Sequence, residues 1–162
     1  MKKILLIFLS FIFLQVNAQT LKGGVVEEFV PEGFFGSWGV ISKLESSNNP
    51  SFFNYESRDI WILSGYENIL ILDNLESGAH SEVILEEKST DGKTLKFKRE
   101  KIVNENGNKI IYKETVSFIL NGNNFSGFDE YLVEKYQNNG LIEKNEARYI
   151  VKGVKISGEN PK

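Results

Sequence analysis

The chain has no cysteine, a single histidine, three prolines and no run of basic residues. Without cysteine there is no disulfide, no thiolate nucleophile and no cysteine-built metal centre, so stability must come from packing. His80 stands alone in Ser77-Gly78-Ala79-His80-Ser81, a turn-side position. One imidazole without cysteines or clustered carboxylates does not make a typical zinc site. A Ser–His pair would need an orienting acid and an oxyanion hole, and no G-x-S-x-G occurs. Phosphate-binding glycine loops and calcium loops are also missing. Nineteen Lys and Arg against 22 Asp and Glu give a net charge of −3. That balance offers no cluster to neutralise phosphates, so neither nucleic acid nor an anionic membrane surface is expected. These absences predict a non-enzyme with no cofactor, no metal and no catalytic residue.

Long apolar runs are scarce too. Ile4 to Leu14 is the longest, at 11 residues, well short of the roughly 20 a membrane helix needs. It follows Met1-Lys2-Lys3 and precedes Val16-Asn17-Ala18, the pattern of a cleaved export signal. The expectation is a signal peptide over 1–18, periplasmic or extracellular delivery in a bacterium, and no membrane span after cleavage. No cysteine follows the cleavage site to carry a lipid. The remaining 144 residues suffice for one domain with a real core. Loss of Lys2 and Lys3 takes the charge from −3 to −5, which favours solubility.

What is present is β-rhythm. An N-terminal segment, 19–35, leads into a β-barrel domain, 36–157, and a polar tail, 158–162. Short β-type runs lie near 37–44, 59–63, 68–72, 81–87, 93–103, 109–120, 124–136 and 147–156. Between them stand Asn48-Asn49-Pro50, Ser64-Gly65, Ser77-Gly78, Asp91-Gly92, Asn106-Gly107, Asn121-Gly122 and Asn138-Asn139-Gly140. Asn-Gly and Asp-Gly supply the positive φ angles of tight hairpins. Strands so spaced, without a helical pattern between them, predict an all-β antiparallel up-and-down meander, a small barrel of about eight strands.

The meander from Lys93 to Val151 can be read residue by residue. A two-residue turn at Asn106-Gly107 sets Leu95 against Phe118, Phe97 against Val116 and Arg99 against Glu114. A two-residue turn at Asn121-Gly122 would set Phe118 against Phe125, Glu114 against Asp129 and Tyr112 against Tyr131. A four-residue loop there would shift the pairs while leaving every residue on the same face. On the other face Lys113 would lie between Glu100 and Glu130, and Lys109 would face Glu134, charge pairs that favour this register. A three-residue turn ending in a left-handed Gly140 would bring Ala147, Tyr149 and Val151 inward.

One inner layer is therefore charged: Arg99, Glu114 and Asp129. Its neighbours are mostly apolar or aromatic, with Lys101 in the layer of Tyr112 and Tyr131. Charges taken out of water must be paired and hydrogen-bonded. The layer can be a self-satisfied network. It can also be a polar anchor in an apolar pocket, with Arg99 gripping a carboxylate in two-pronged fashion. On the second reading Arg99, Glu114, Asp129, Tyr112, Tyr131 and Phe97 line a site for a small amphipathic ligand. A glycosidase-like pairing of Glu114 with Asp129 is disfavoured by Arg99 beside them, which would hold both ionised.

Phe34-Phe35-Gly36-Ser37-Trp38 supplies the last signal. Gly36 allows close backbone approach, and Trp38 can plug a barrel end. With Gly36 and Trp38 as a G-x-W strand start, the chain resembles the lipocalin-like proteins of the calycin superfamily. The resemblance implies an up-and-down barrel that holds small apolar molecules, with an arginine near the last strand packed over the tryptophan. Arg148 is the sole late arginine, and strand parity turns it outward. The resulting expectation is an exported, non-enzymatic barrel binding a small amphipathic or apolar ligand in its interior. The alternative is a secreted protein-interaction or inhibitor module acting through surface loops, with Phe52, Phe53 and Tyr55 as its candidate surface or as a lid over the barrel. An outer-membrane barrel is excluded by Lys96, Lys98, Glu100, Lys113, Glu130 and Glu134 on the outer face.

Overall fold

Eight strands follow one another round a closed antiparallel barrel, each paired with its sequence neighbours and the last with the first. The computed structural model describes residues 30–66, 69–86 and 89–157. The expected signal peptide, the start of the N-terminal segment and the polar tail lie outside the described residues. The strands are β1 (Gly36–Ser47), β2 (Glu56–Tyr66), β3 (Ile69–Asn74), β4 (Ala79–Leu85), β5 (Thr94–Glu105), β6 (Asn108–Asn121), β7 (Asn124–Gln137) and β8 (Gly140–Ser157). A single 3-10 turn, Glu32–Phe34, precedes them. Among the described residues no helix is long and apolar enough to cross a membrane. The all-β meander expected from the turn spacing is the fold.

Turn chemistry accounts for the strand ends, with three corrections. Asn106 and Gly107 have φ of 50° and 76°, the two positive angles of a type I′ hairpin. They set Arg99 opposite Glu114 and Leu95 opposite Phe118, as expected. The next reversal is Gly122-Asn123, with Asn121 paired to Asn124. Gly122 takes the positive φ of 58° at the first central position, where a Gly-first hairpin needs it. The register therefore lies two residues from the expected one: Glu114 faces Tyr131, Val116 faces Asp129 and Tyr112 faces Val133. In the third case Asn138 and Asn139, at φ 50° and 65°, form the turn themselves, and Gly140 is not left-handed. Expected strand 147–156 thereby begins at Gly140, and a bulge beside Tyr136 restores the inward parity of Ala147, Tyr149 and Val151. Ser64-Gly65 is not a turn either. It pairs with Leu70 and Ile71 as the ladder that brings Leu63 opposite Leu72 continues.

Glycines decide the second register. In the observed pairing Phe118 lies opposite Gly127 and Phe125 opposite Gly153. A Cβ on Gly127 would stand 1.9 Å from the Ser117 carbonyl oxygen, and one on Gly153 would stand 2.2 Å from the Phe125 ring. Each ring thus covers a bare backbone. Phe118 and Phe125 then meet diagonally, stacked at 4.5 Å between centroids, instead of face to face across the ladder.

The inner face of β5 to β8 is a set of rows running across the sheet. From the end where β1 starts, they are Leu95/Phe118/Gly127/Val151, then Phe97/Val116/Asp129/Tyr149, then Arg99/Glu114/Tyr131/Ala147, then Lys101/Tyr112/Val133/Asn145. The first end is solid. Trp38 is fully buried between Phe34 and Phe125, and Trp61 packs on Phe118 and Phe125. The 3-10 turn closes this end, accepting a hydrogen bond from Trp38 Nε1 at the Phe34 carbonyl, 2.7 Å. Gly36, at φ 113°, brings β1 so close to β8 that a Cβ would lie 2.6 Å from the Ser157 oxygen. The cation over Trp38 is Lys155, 5.4 Å from the ring, whose Nζ also donates to the Gly33 carbonyl. Arg148 is turned outward as parity required, lying 3.8 Å over Phe128 and pairing with Glu45 and Glu130.

The outer-face charge pattern follows the corrected register. Lys113 faces Glu100 as expected, but pairs diagonally with Glu134 at 3.2 Å. Lys109 faces Tyr136 instead of Glu134.

Candidate functional site

The two-residue shift has its largest effect on the charged layer. Arg99 and Glu114 stay opposite each other, and Tyr131 takes the place expected for Asp129. The Arg99 guanidinium donates to both Glu114 oxygens, through Nε to Oε2 and through Nη2 to Oε1 at 2.7 Å. Its remaining Nη1 donates to Ser81 Oγ at 3.0 Å and Asn74 Oδ1 at 3.3 Å. Tyr131 donates its hydroxyl to Glu114 Oε1 at 2.9 Å. Arg99, Glu114 and Tyr131 thus bond to one another, with Asp129 outside these bonds. Both guanidinium prongs meet Glu114, the position in which the sequence reading set a ligand carboxylate.

The same guanidinium spans a thin place in the wall. Strands β4 and β5 share the pairs Ile84–Lys98 and Leu85–Phe97, followed by the bond from Glu86 N–H to the Lys96 carbonyl. Beyond Ile84 the ladder stops, and Arg99 reaches across to Ser81 by its side chain.

Asp129 sits one row deeper, between Val116 and Tyr149. It is 1% exposed, and its Oδ1 has no hydrogen-bond partner. Burial pushes its carboxyl up to about 7, against the pull of Arg99 and of the neighbouring Tyr131 hydroxyl, while Glu130 adds to the rise. Burial also holds the Tyr131 hydroxyl well above the usual tyrosine range, with Asp129 reinforcing it. Tyr149 is pushed up to about 12 by burial and then by Asp129. The rings of Tyr131 and Tyr149 meet edge to face at 5.6 Å.

Of the six residues predicted from the sequence, Arg99, Glu114, Asp129 and Tyr131 form one connected group. Phe97 is fully buried in the solid half, edge-on to Phe118. Tyr112 stands half-buried one row nearer the opposite mouth. Burial, and secondarily Glu105, raises its hydroxyl. Sequence reading missed Asn74, Ser81 and Asn145, all buried polar residues. Parity could have found the first two, because Leu70, Leu72 and Asn74 alternate inward, as do Ser81, Val83 and Leu85.

The mouth at this end lies under the β1–β2 loop, residues 48–55. Asn48 bonds the β8 backbone at Lys144 and Glu146, and Asn49 donates to Asn145 Oδ1 at 2.9 Å. The Asn54 carbonyl accepts from the Tyr149 hydroxyl at 3.0 Å. Phe53 packs against the core, while Phe52 and Tyr55 remain 46% and 74% exposed. The aromatic cluster is thus part lid and part surface. A separate shallow hollow of about 300 Å³ lies outside the barrel, lined by Asn104, Lys109, Tyr136 and the turn residues beside them. His80 is exposed on β4, its Nδ1 2.5 Å from Asp73 Oδ1. No three His, Cys, Asp or Glu side chains among the described residues are grouped so as to hold a metal.

Comparison with protein-family models, curated proteins and solved structures finds no match for this chain. The eight-stranded closed barrel agrees in general shape with the lipocalin-like barrels that the G-x-W start resembles.

Proposed function

We propose that the protein is an exported, non-catalytic barrel that holds a small amphipathic molecule in its polar half. The observation that carries this reading is the asymmetry of the interior: one half is filled by Phe34, Trp38, Trp61, Phe118 and Phe125, the other is polar and lidded. The ligand's polar end would meet the Arg99–Glu114–Tyr131 layer, and its apolar part would lie along Tyr112, Val133, Val103 and Ile110, inner-face residues of the long β5–β7 strands. Few convergent polar groups in an otherwise apolar site suit a small ligand. The lysine-led, 11-residue apolar start supports export, and the G-x-W start with the barrel's shape supports a lipocalin-like use of the fold.

The test is titration with the neutral fluorescent amphipath N-phenyl-1-naphthylamine. Saturable binding that weakens at least about fivefold in Tyr112→Ser, a loss of roughly 1 kcal/mol, is expected. Absence of saturable binding to the folded protein would refute the reading. A second reading, a protein-interaction or inhibitor module, draws on the exposure of Phe52 and Tyr55. It predicts a co-purifying protein that is lost on Phe52→Ser.

A further inference from the structure

The interior is not electrically balanced where the solid half meets the polar one. Arg99 is the one guanidinium in the layer, and Glu114 occupies both of its prongs. Asp129 is a second carboxylate drawing on that same guanidinium, fully buried, with Oδ1 unpartnered. The groups around it come from four strands: Arg99 of β5, Glu114 of β6, Tyr131 and Glu130 of β7, and Tyr149 of β8. Of these only Arg99 is positive. Lys101 belongs to the next row toward the mouth, and Lys135 lies opposite Glu143 beyond it.

A buried surplus of negative charge is relieved by a proton or by a cation. Tyr149 lies directly across the ladder from Asp129 and Tyr131 two residues further along β7, and the two tyrosine rings meet edge to face. A carboxylate beside aromatic rings is the chemistry that recognises an ammonium group, which gains from ring faces as well as from the anion.

We propose that the ligand's polar end is a cation, an organic ammonium, held by Asp129 beside Tyr131 and Tyr149. This rests on the reading of the polar half as a ligand site and names the ligand class. The ammonium would supply the hydrogen-bond donors that Asp129 Oδ1 lacks. Its apolar chain would point to the mouth along Tyr112 and Val133. Entry requires the 48–55 loop to release the Tyr149 hydroxyl from the Asn54 carbonyl. Burial is the main cause of the rise of the Asp129 carboxyl to about 7, and a bound cation would relieve the same buried charge that a proton does.

Three probes of equal chain length separate the possibilities: octylammonium, octanoate and octanol, titrated calorimetrically at pH 8. Octylammonium is expected to bind at least about tenfold more tightly than the other two, a preference of about 1.4 kcal/mol. In Asp129→Asn that preference should vanish while octanol binding persists. In wild type it should shrink as pH falls from 8 to 5, because octylammonium stays charged and Asp129 does not. Octanol or octanoate binding as tightly as octylammonium overturns the cation and leaves the ligand site standing. No binding by any probe, with the barrel folded, overturns both. A preference undiminished at pH 5 and in Asp129→Asn places the cation elsewhere and overturns the role of Asp129.

Discussion

Replacing Asp129 with asparagine should stabilise the barrel at pH 8 and not at pH 4. The folded carboxyl titrates at about 7 against an ordinary value of 3.8. When the folded value is raised, the native state keeps a proton that the unfolded chain has lost. Stability then falls as pH rises from about 4 to about 7, and the full cost is present above 7. The gap between the two values corresponds to roughly 4 kcal/mol. Asparagine has nearly the same shape and no charge, so it removes that cost. It also places an amide where a donor lacks a full set of partners, which returns roughly 1–2 kcal/mol. The expected net gain at pH 8 is about 2–3 kcal/mol, and at pH 4 the variant should equal wild type or fall slightly below it.

Urea unfolding of both proteins from pH 4 to pH 8 measures this. The difference between the two curves isolates Asp129, because every other titrating group is present in both. For a domain of this size the gain at pH 8 corresponds to roughly 6–9 °C in Tm. A stability difference that stays constant across the range refutes the assignment of a buried, unbalanced carboxylate. So does a variant less stable than wild type at pH 8.

Three further substitutions test the packing. Arg99→Met strands Glu114, 4% exposed, without its guanidinium; urea unfolding should show a loss of about 3–5 kcal/mol, and a loss under 1 kcal/mol would mean the pair is solvated. Gly36→Ala combines an unfavourable φ with a clash at the Ser157 oxygen; it should cost about 2 kcal/mol or more, read as a lowered Tm with unchanged far-ultraviolet dichroism. Asn139→Val places a branched side chain at φ 65° and should cost about 1–2 kcal/mol, whereas Asn139→Gly should be neutral or mildly stabilising by the same assay.

The existence of the strands was legible because the turns are written in residues with few alternatives. Asn-Gly, Asp-Gly and paired asparagines tolerate positive φ, and β-branched and aromatic residues alternate between them. The face of each residue followed from parity alone. Phe97, Val116, Phe118, Tyr149 and Val151 are inward and buried as that parity requires. The strand-length errors have a different origin. The segment 140–146 carries Glu143, Lys144, Asn145 and Glu146, with little propensity of its own, and is strand because β7 supplies the ladder. Ser64-Gly65 looks like a turn locally and is overruled by the Leu63–Leu72 pair it must deliver to the core.

Parity is blind to a slip of two residues, and that slip decides the electrostatics. In the expected register Asp129 would share a row with Arg99 and Glu114, and one guanidinium could sit between two carboxylates. In the observed one Tyr131 fills that place, Glu114 takes the guanidinium, and Asp129 moves into the row of Phe97 and Val116. The choice is made far from any charge, at Gly122 and at the ring-over-glycine pairs Phe118–Gly127 and Phe125–Gly153. Those apolar contacts outweigh the cost of one unbalanced carboxylate. A buried aromatic side chain is worth about 3–5 kcal/mol against its removal, and three rings depend on the register. The strain on Asp129 is thus a consequence of how the solid half packs. The row beside the Arg99–Glu114 layer thereby holds an anion whose Oδ1 has no hydrogen-bond partner.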